Sequence, residues 1–211
     1  MHKLTRCADN CHSISNYSAG NNKNKLMALT ETQKKSIQVN VPFLVAALLN
    51  NNVNPVIIPY IIAQMILETG YFTNTSFIKD RNPGGITWNQ NYLKRLGTSK
   101  GSARPLKEGG VYVHFDNFDT AIKDYLRIIN KSPGLPVSAT SPADFAHRLK
   151  INNYYKAAES DYVNTINSVY NRINENVNIA ALLKKKSSLN MAGLPLIFAG
   201  LFLGTLFFNK K

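Results

Sequence analysis

The residues best equipped for chemistry fall in one short run, AQMILETG, residues 63–70. Glu68 ends a series of large apolar side chains and is followed by Thr69 and Gly70. In the last turn of a helix the negative end of the dipole disfavours another negative charge. The neighbouring Met65, Ile66 and Leu67 disfavour ionisation by desolvation. Both effects push a carboxyl pKa upward, as a general acid near neutral pH requires. Gln64 falls one turn earlier on the same face and is placed to orient that carboxyl or a substrate. The plainer alternative is a solvated glutamate at a helix end. Cys7 and Cys11, with His2 and His12, are four potential ligands whose spacing matches no common zinc finger. No metal or organic cofactor is implied, and two cysteines make no disulfide framework.

The elements that must hold Glu68 are mostly helices. PFLVAALLN is expected to start a helix with Pro42 at its first position, stopped by Asn50–Asn52. PYIIAQMILET starts at Pro59 and ends before Gly70, a natural left-handed cap. Residues 73–110 are polar and glycine-containing, with room for short strands only. VYVHF, 111–115, reads as a strand after the turn signal Gly109-Gly110. Helices return at TAIKDYLRIIN, at SPADFAHRLK with Ser141 as cap, and from Asp161. That last helix sets Tyr162, Ile166, Val169, Tyr170, Ile173 and Val177 on one stripe. The fold class is therefore mainly α, an α+β domain with a small β-lobe inserted near its middle.

The formal charge of +13 over 211 residues is concentrated at the ends. Residues 1–35 carry six Lys/Arg against two acids, 36–175 fourteen against ten, and 176–211 five against none. A nucleic-acid partner is therefore not expected. Between residues 79 and 107, seven cations face only Asp80, a local basic patch suited to an anionic polymer surface or simply to solvent. Residues 1–35 read as a polar, disordered segment, 36–175 as the catalytic domain, and 176–188 as a basic linker. Residues 189–209 read as a single transmembrane helix. Within them, MAGLPLIFAGLFLGTLFF is long enough, at about 1.5 Å per residue, to cross most of a bilayer core. Lysines at 184–186 and 210–211 bracket it. No secretory signal is visible, and Met27 is an alternative start.

AQMILETGYF, NPGGI, VYVHFDNFDTAIKDYLRII and FAHRLKINNYYKAAESDYVNTI occur in that order. Together they resemble the glucosaminidase domain of glycoside hydrolase family 73, the flagellar and autolysin type of peptidoglycan hydrolase, over roughly residues 40–174. The resemblance implies a lysozyme-like helical fold with a β-lobe over a glycan cleft. It makes Glu68 the acid that protonates the glycosidic oxygen. It also implies a second acid in the β-lobe some 35–40 residues downstream, for which Glu108 is the better match and Asp116 the runner-up. Participation of the substrate's own N-acetyl group would relax that need. Tyr155, with Tyr154 as alternative, falls in the tyrosine-bearing stretch of the cleft. Asn82 heads the NPGGI turn and joins the substrate-binding candidates. The family usually carries an aromatic where this chain has Gly84, and Trp88 is a candidate to replace it as a sugar platform or to pack.

The expected activity is cleavage of the β-1,4 bond between N-acetylglucosamine and N-acetylmuramic acid in peptidoglycan strands. A lytic transglycosylase and an inactive wall-binding or structural membrane protein are the alternatives. The expected location is a membrane, through a single-pass C-terminal anchor in contact with the lipid bilayer. The positive-inside bias weakly keeps the domain cytoplasmic, on the side away from the wall. A bacterial virus with an internal virion membrane is one resolution. Release as an endolysin and an unrecognised export route are the others. The sequence leaves the oligomeric state open.

Overall fold

The computed structural model describes residues 28–184. Residues 1–27 and 185–211, and with them the expected anchor and the Cys7, Cys11, His2 and His12 cluster, lie outside the described residues.

The first helix, α1, runs Glu31–Asn50, eleven residues earlier than Pro42 suggests. Its start is fixed by Thr30, whose hydroxyl accepts the Gln33 N–H while the Gln33 side chain accepts the Thr30 N–H, a reciprocal cap. Pro42 sits inside this helix, where it removes one backbone donor. The folded unit therefore begins before residue 36. It also continues past 175: Ile179 is buried, and Leu182 and Leu183 pack against the core, where a linker was expected.

Helix α2 spans Ile58–Thr69 with nine buried residues, so it is surrounded on nearly all sides. A short helix α3, Thr75–Asp80, follows under an Asn74 cap, where only strands were expected. A 3-10 turn at Gln90–Lys94 leads to strands β1, Thr98–Ala103, and β2, Val111–Phe115. These pair antiparallel, Thr98 against Phe115 and Lys100 against Val113, with an irregularity before Ala103. The 86–88 segment lies alongside β2 through Val113 N–H to Ile86 O and Trp88 N–H to Val111 O, both 2.9 Å. Helices α4, Phe118–Ile129, α5, Pro142–Ile151, and α6, Glu159–Asn176, complete the unit. Asn117 caps α4. Ser141 caps α5 as expected. Tyr162, Ile166, Val169 and Ile173 form the buried stripe of α6, which packs on α2.

The architecture is thus mainly helical with one two-stranded sheet. Asp80, at the end of α3 and buried, ties the sheet to the helices. It accepts the Ser102 N–H at 3.1 Å and the Ser102 hydroxyl, and lies 3.5 Å from His114 Nδ1. Gly101 is required beside it, because a Cβ there would stand 2.5 Å from Asp80 Oδ1. Among the described residues no helix is long and apolar enough to cross a membrane.

Candidate active site

The end of α2 is built by its own sequence. Gly70 takes the left-handed conformation (φ 55°, ψ 52°) and its N–H donates to Ile66 O. Tyr71 and Phe72 follow with φ of 64° and 61°, so three consecutive residues are left-handed. Such a run is costly for side chains with a Cβ, and two hydroxyls hold it. Thr69, fully buried, donates to Met65 O at 2.6 Å and accepts the Phe72 N–H at 3.0 Å. Ser36 of α1 donates to Phe72 O at 3.1 Å. Asn74 donates to Glu68 O at 3.2 Å. The Glu-Thr-Gly sequence therefore makes an abrupt helix end that leaves Glu68 half-buried at the last turn.

Tyr154 reaches that carboxyl. Its hydroxyl donates to Glu68 Oε1 at 3.2 Å from the segment between α5 and α6. Asn153, at φ 54°, sets the turn that brings it there. Tyr155, expected to be the better placed, points into the core instead. Its hydroxyl donates to Ala146 O at 3.0 Å and its ring stacks on Tyr162 at 3.9 Å and 4°. Burial, with Glu159 nearby, holds the Tyr155 phenol protonated well beyond the ordinary tyrosine range.

Gln64 is 1% exposed, and its Oε1 accepts the Tyr125 hydroxyl at 2.7 Å. Its Nε2 is buried without a partner. The bond joins α2 to α4 one turn before Glu68, so Gln64 holds the helix from within and has no surface to offer a substrate. Asn82 is likewise internal. Its Nδ2 donates to Ile86 O and Val113 O, and its Oδ1 accepts from Gly84 and Ile86 N–H, which saturates the amide. It makes the 82–86 turn and leaves no hydrogen bond for a sugar.

The glycine of that turn has a steric cause. A Cβ on Gly84 would lie 2.7 Å from Cδ2 of Tyr125, whose ring fills the space an aromatic side chain at 84 would take. Sequence reading missed Tyr125; its apolar spacing in α4 was the signal, but a phenol looks like any other core residue there. Trp88 is half-buried and packs on Tyr92 at 5.7 Å. Tyr92 is in turn anchored by its hydroxyl to the buried Asp124 at 2.6 Å, alongside Arg127 and Arg95. Burial first, and then Asp124, push the Tyr92 phenol far up.

Glu108 lies in the loop between β1 and β2, where Arg104 Nη2 holds it at 2.6 Å. Asp116 is exposed just after β2, its backbone N–H on Gly97 O. The site thus brings together Glu68 and Tyr154, backed by Gln64 and Tyr125, while Glu108 and Asp116 sit at opposite ends of β2. Among the described residues no group of three or more His, Cys, Asp and Glu is poised to hold a metal.

The profile of the family described as glucosaminidase, mannosyl-glycoprotein endo-beta-N-acetylglucosaminidase, matches residues 43–175. No curated protein sequence matches the chain. Among solved structures, the catalytic domain of the autolysin Auto from Listeria monocytogenes is similar at 16% identity. The match covers 71% of this chain and 89% of that one, with a TM-score of 0.45.

Proposed function

The chain belongs to the glucosaminidase family and is a glycoside hydrolase; from that premise we propose that it cleaves peptidoglycan strands at the bond after N-acetylglucosamine, with Glu68 as the general acid. The observation that carries this is the construction of the α2 end. A left-handed run of three residues, held by two hydroxyls on the backbone, ends the helix just after Glu68, and the Tyr154 phenol bonds its half-buried carboxyl. The Tyr154 hydroxyl fixes the rotation of that carboxyl through Oε1, so that it meets the glycosidic oxygen in one orientation. Gln64 and Tyr125 keep the helix beneath it from shifting.

Glu108 is the proposed second carboxylate. Two-carboxylate glycosidases place the pair roughly 5–9.5 Å apart, and Glu108 would serve as the second member once released from Arg104. Its engagement by Arg104 favours a second reading, in which Glu68 works alone with the substrate's acetamido group or as a lytic transglycosylase. Products separate these: a reducing sugar supports hydrolysis, and a 1,6-anhydro-muramyl end supports transglycosylation.

Glu68→Gln should abolish lysis of purified walls with the fold intact, since losing general-acid catalysis removes about 10²–10⁴-fold in rate. Retention of more than a small fraction of activity in a turbidity assay would exclude Glu68 as the acid. Glu108→Gln should impair catalysis more than Asp116→Asn; equal activity with wild type would favour the single-carboxylate readings.

For location, the proposal is a membrane anchor at residues 189–209 with the domain on the cytoplasmic side, packaged into the internal membrane of a bacterial virus. The apolar run and its basic flanks support the anchor. Digestion of the domain by protease from outside intact host cells would overturn the orientation.

A further inference from the structure

Two arginines are held on one buried carboxylate outside the Glu68 site. Asp124 is buried, and a single oxygen, Oδ1, accepts Arg127 Nε at 2.7 Å and Arg95 Nη1 at 3.2 Å. Its Oδ2 accepts the Tyr92 hydroxyl at 2.6 Å. Arg127 Nη2 donates to that same hydroxyl at 3.2 Å. The two guanidiniums are thereby fixed side by side on one atom. Their side chains nonetheless stay 38% exposed at Arg95 and 43% at Arg127.

Pairing a buried carboxylate takes one cation, so the second leaves a positive charge unbalanced. Asp124 is the one carboxylate paired with either arginine among the described residues. Arg95 is not held there for stability alone, since its Nε is buried without a partner. Arg95 spends Nη1 on the protein and Arg127 spends Nε and Nη2. Each planar fork therefore keeps donors of the kind that bind carboxylate and phosphate groups.

The pair adjoins an aromatic surface. Arg95 Cζ lies 5.3 Å from the centroid of the Tyr92 ring, and the half-buried Trp88 ring lies 5.7 Å from it. An indole next to two guanidiniums suits a sugar with a negative substituent, the ring face on tryptophan and the oxyanion on the arginines. Asp124 is followed in α4 by Tyr125, whose hydroxyl bonds Gln64 one turn before Glu68. One helix thus carries both the arginine pair and a support of the catalytic helix.

We propose that Arg95 and Arg127 form an oxyanion subsite beside Trp88, taking a carboxylate or phosphate group carried by the wall polymer. The proposal rests on the reading of the protein as a peptidoglycan hydrolase and adds to it the recognition of a charged substituent.

The test uses the full chain carrying Glu68→Gln, so that bound wall is not consumed. Arg95→Gln and Arg127→Gln are added singly. Each leaves Asp124 its other arginine and Tyr92, and thermal melting checks the fold. Lys94→Gln, at an exposed neighbour outside the pair, removes the same charge as a control. Sedimentation with purified saccules should show binding weakened about tenfold in each arginine variant, as loss of one hydrogen bond to a charged group does. Lys94→Gln should bind like the parent. Saccules with carboxylates amidated by carbodiimide and ammonia, and saccules stripped of phosphate polymers by hydrofluoric acid, identify the source of the anion. One of these treatments should weaken the parent about tenfold and leave the arginine variants unchanged. Unchanged binding in both arginine variants would overturn the proposal, as would an equal loss in Lys94→Gln or a parent indifferent to both treatments. A parent that binds no saccules would overturn the wall reading together with the subsite. Persistent lysis by Glu68→Gln would overturn the catalytic reading alone, because the subsite comparison is a difference between proteins sharing that substitution.

Discussion

Removing the Asp80 carboxylate should detach the β-lobe without unfolding the helices. Asp80→Ala deletes the acceptor for the Ser102 N–H and hydroxyl, and the group facing His114. A hydrogen bond to a charged group contributes about 1.5–3 kcal/mol. Water can reach the part-buried Ser102 once the lobe loosens, so two such bonds give a net loss of about 2–4 kcal/mol. That is roughly a 30- to 1,000-fold increase in opening of the hairpin. Gly101→Ala attacks the same clamp from the other side, since its Cβ would meet Asp80 Oδ1 at 2.5 Å and Tyr112 O at 3.0 Å. The two substitutions should therefore be less than additive, because Asp80→Ala removes the atom that the new methyl strikes. The assay is hydrogen exchange of amides in 98–103 and 111–115, with α2 and α6 as internal references. Unchanged exchange in the hairpin, or strict additivity of the two substitutions, would refute the clamp.

Three further outcomes are expected. Tyr154→Phe should lower kcat about tenfold, as loss of one hydrogen bond to a carboxylate does, with little change in melting. Tyr155→Phe should do the reverse, losing about 1 kcal/mol of stability and no activity; urea titration beside wall-lysis kinetics separates them. Gly84→Ala should destabilise by about 1–3 kcal/mol through overpacking against Tyr125, visible as a lower melting temperature, and Gly84→Ser should do no better. The Asp144 carboxyl is held below its usual range by the Thr140 N–H and then by Arg148. It therefore stabilises the fold above the unfolded carboxylate pKa and loses this as pH falls through the folded value. The stability deficit of Asp144→Asn near neutral pH should vanish in acid, measured by urea titration across pH.

Much of this was legible because helix ends are written in local chemistry. Gly70, Ser141 and the VYVHF alternation each specify a boundary from a few residues, and each stands where expected. Pro42 misled because proline marks a helix start far more often than a helix interior. The true signal, Thr30 with Gln33 three residues on, lay in a stretch with little hydrophobic period. The six-residue α3 is too short for any period to declare itself. The Tyr154/Tyr155 choice could not be made from sequence, since a single left-handed residue, Asn153, decides which ring faces the core. Gln64 and Asn82 were found as polar residues in suggestive places. Whether an amide faces a ligand or its own backbone depends on tertiary packing, and both turned inward.

The run from Gly70 to Phe72 also bears on how this protein can change its length. Residues 69 to 74 are stitched to fixed partners on either side: Thr69 to Met65 and Phe72, Phe72 to Ser36, and Asn74 to Glu68. Adding or deleting one residue there would break the sequence of left-handed conformations and rotate Glu68 away from Tyr154. The loop between β1 and β2 is different: nothing lies within 4 Å of a Cβ at Gly109, and only a methyl at 3.8 Å meets one at Gly110. Insertions and deletions in descendants of this sequence should therefore be tolerated at Gly109-Gly110, beyond Glu108, and be purged from 69–74.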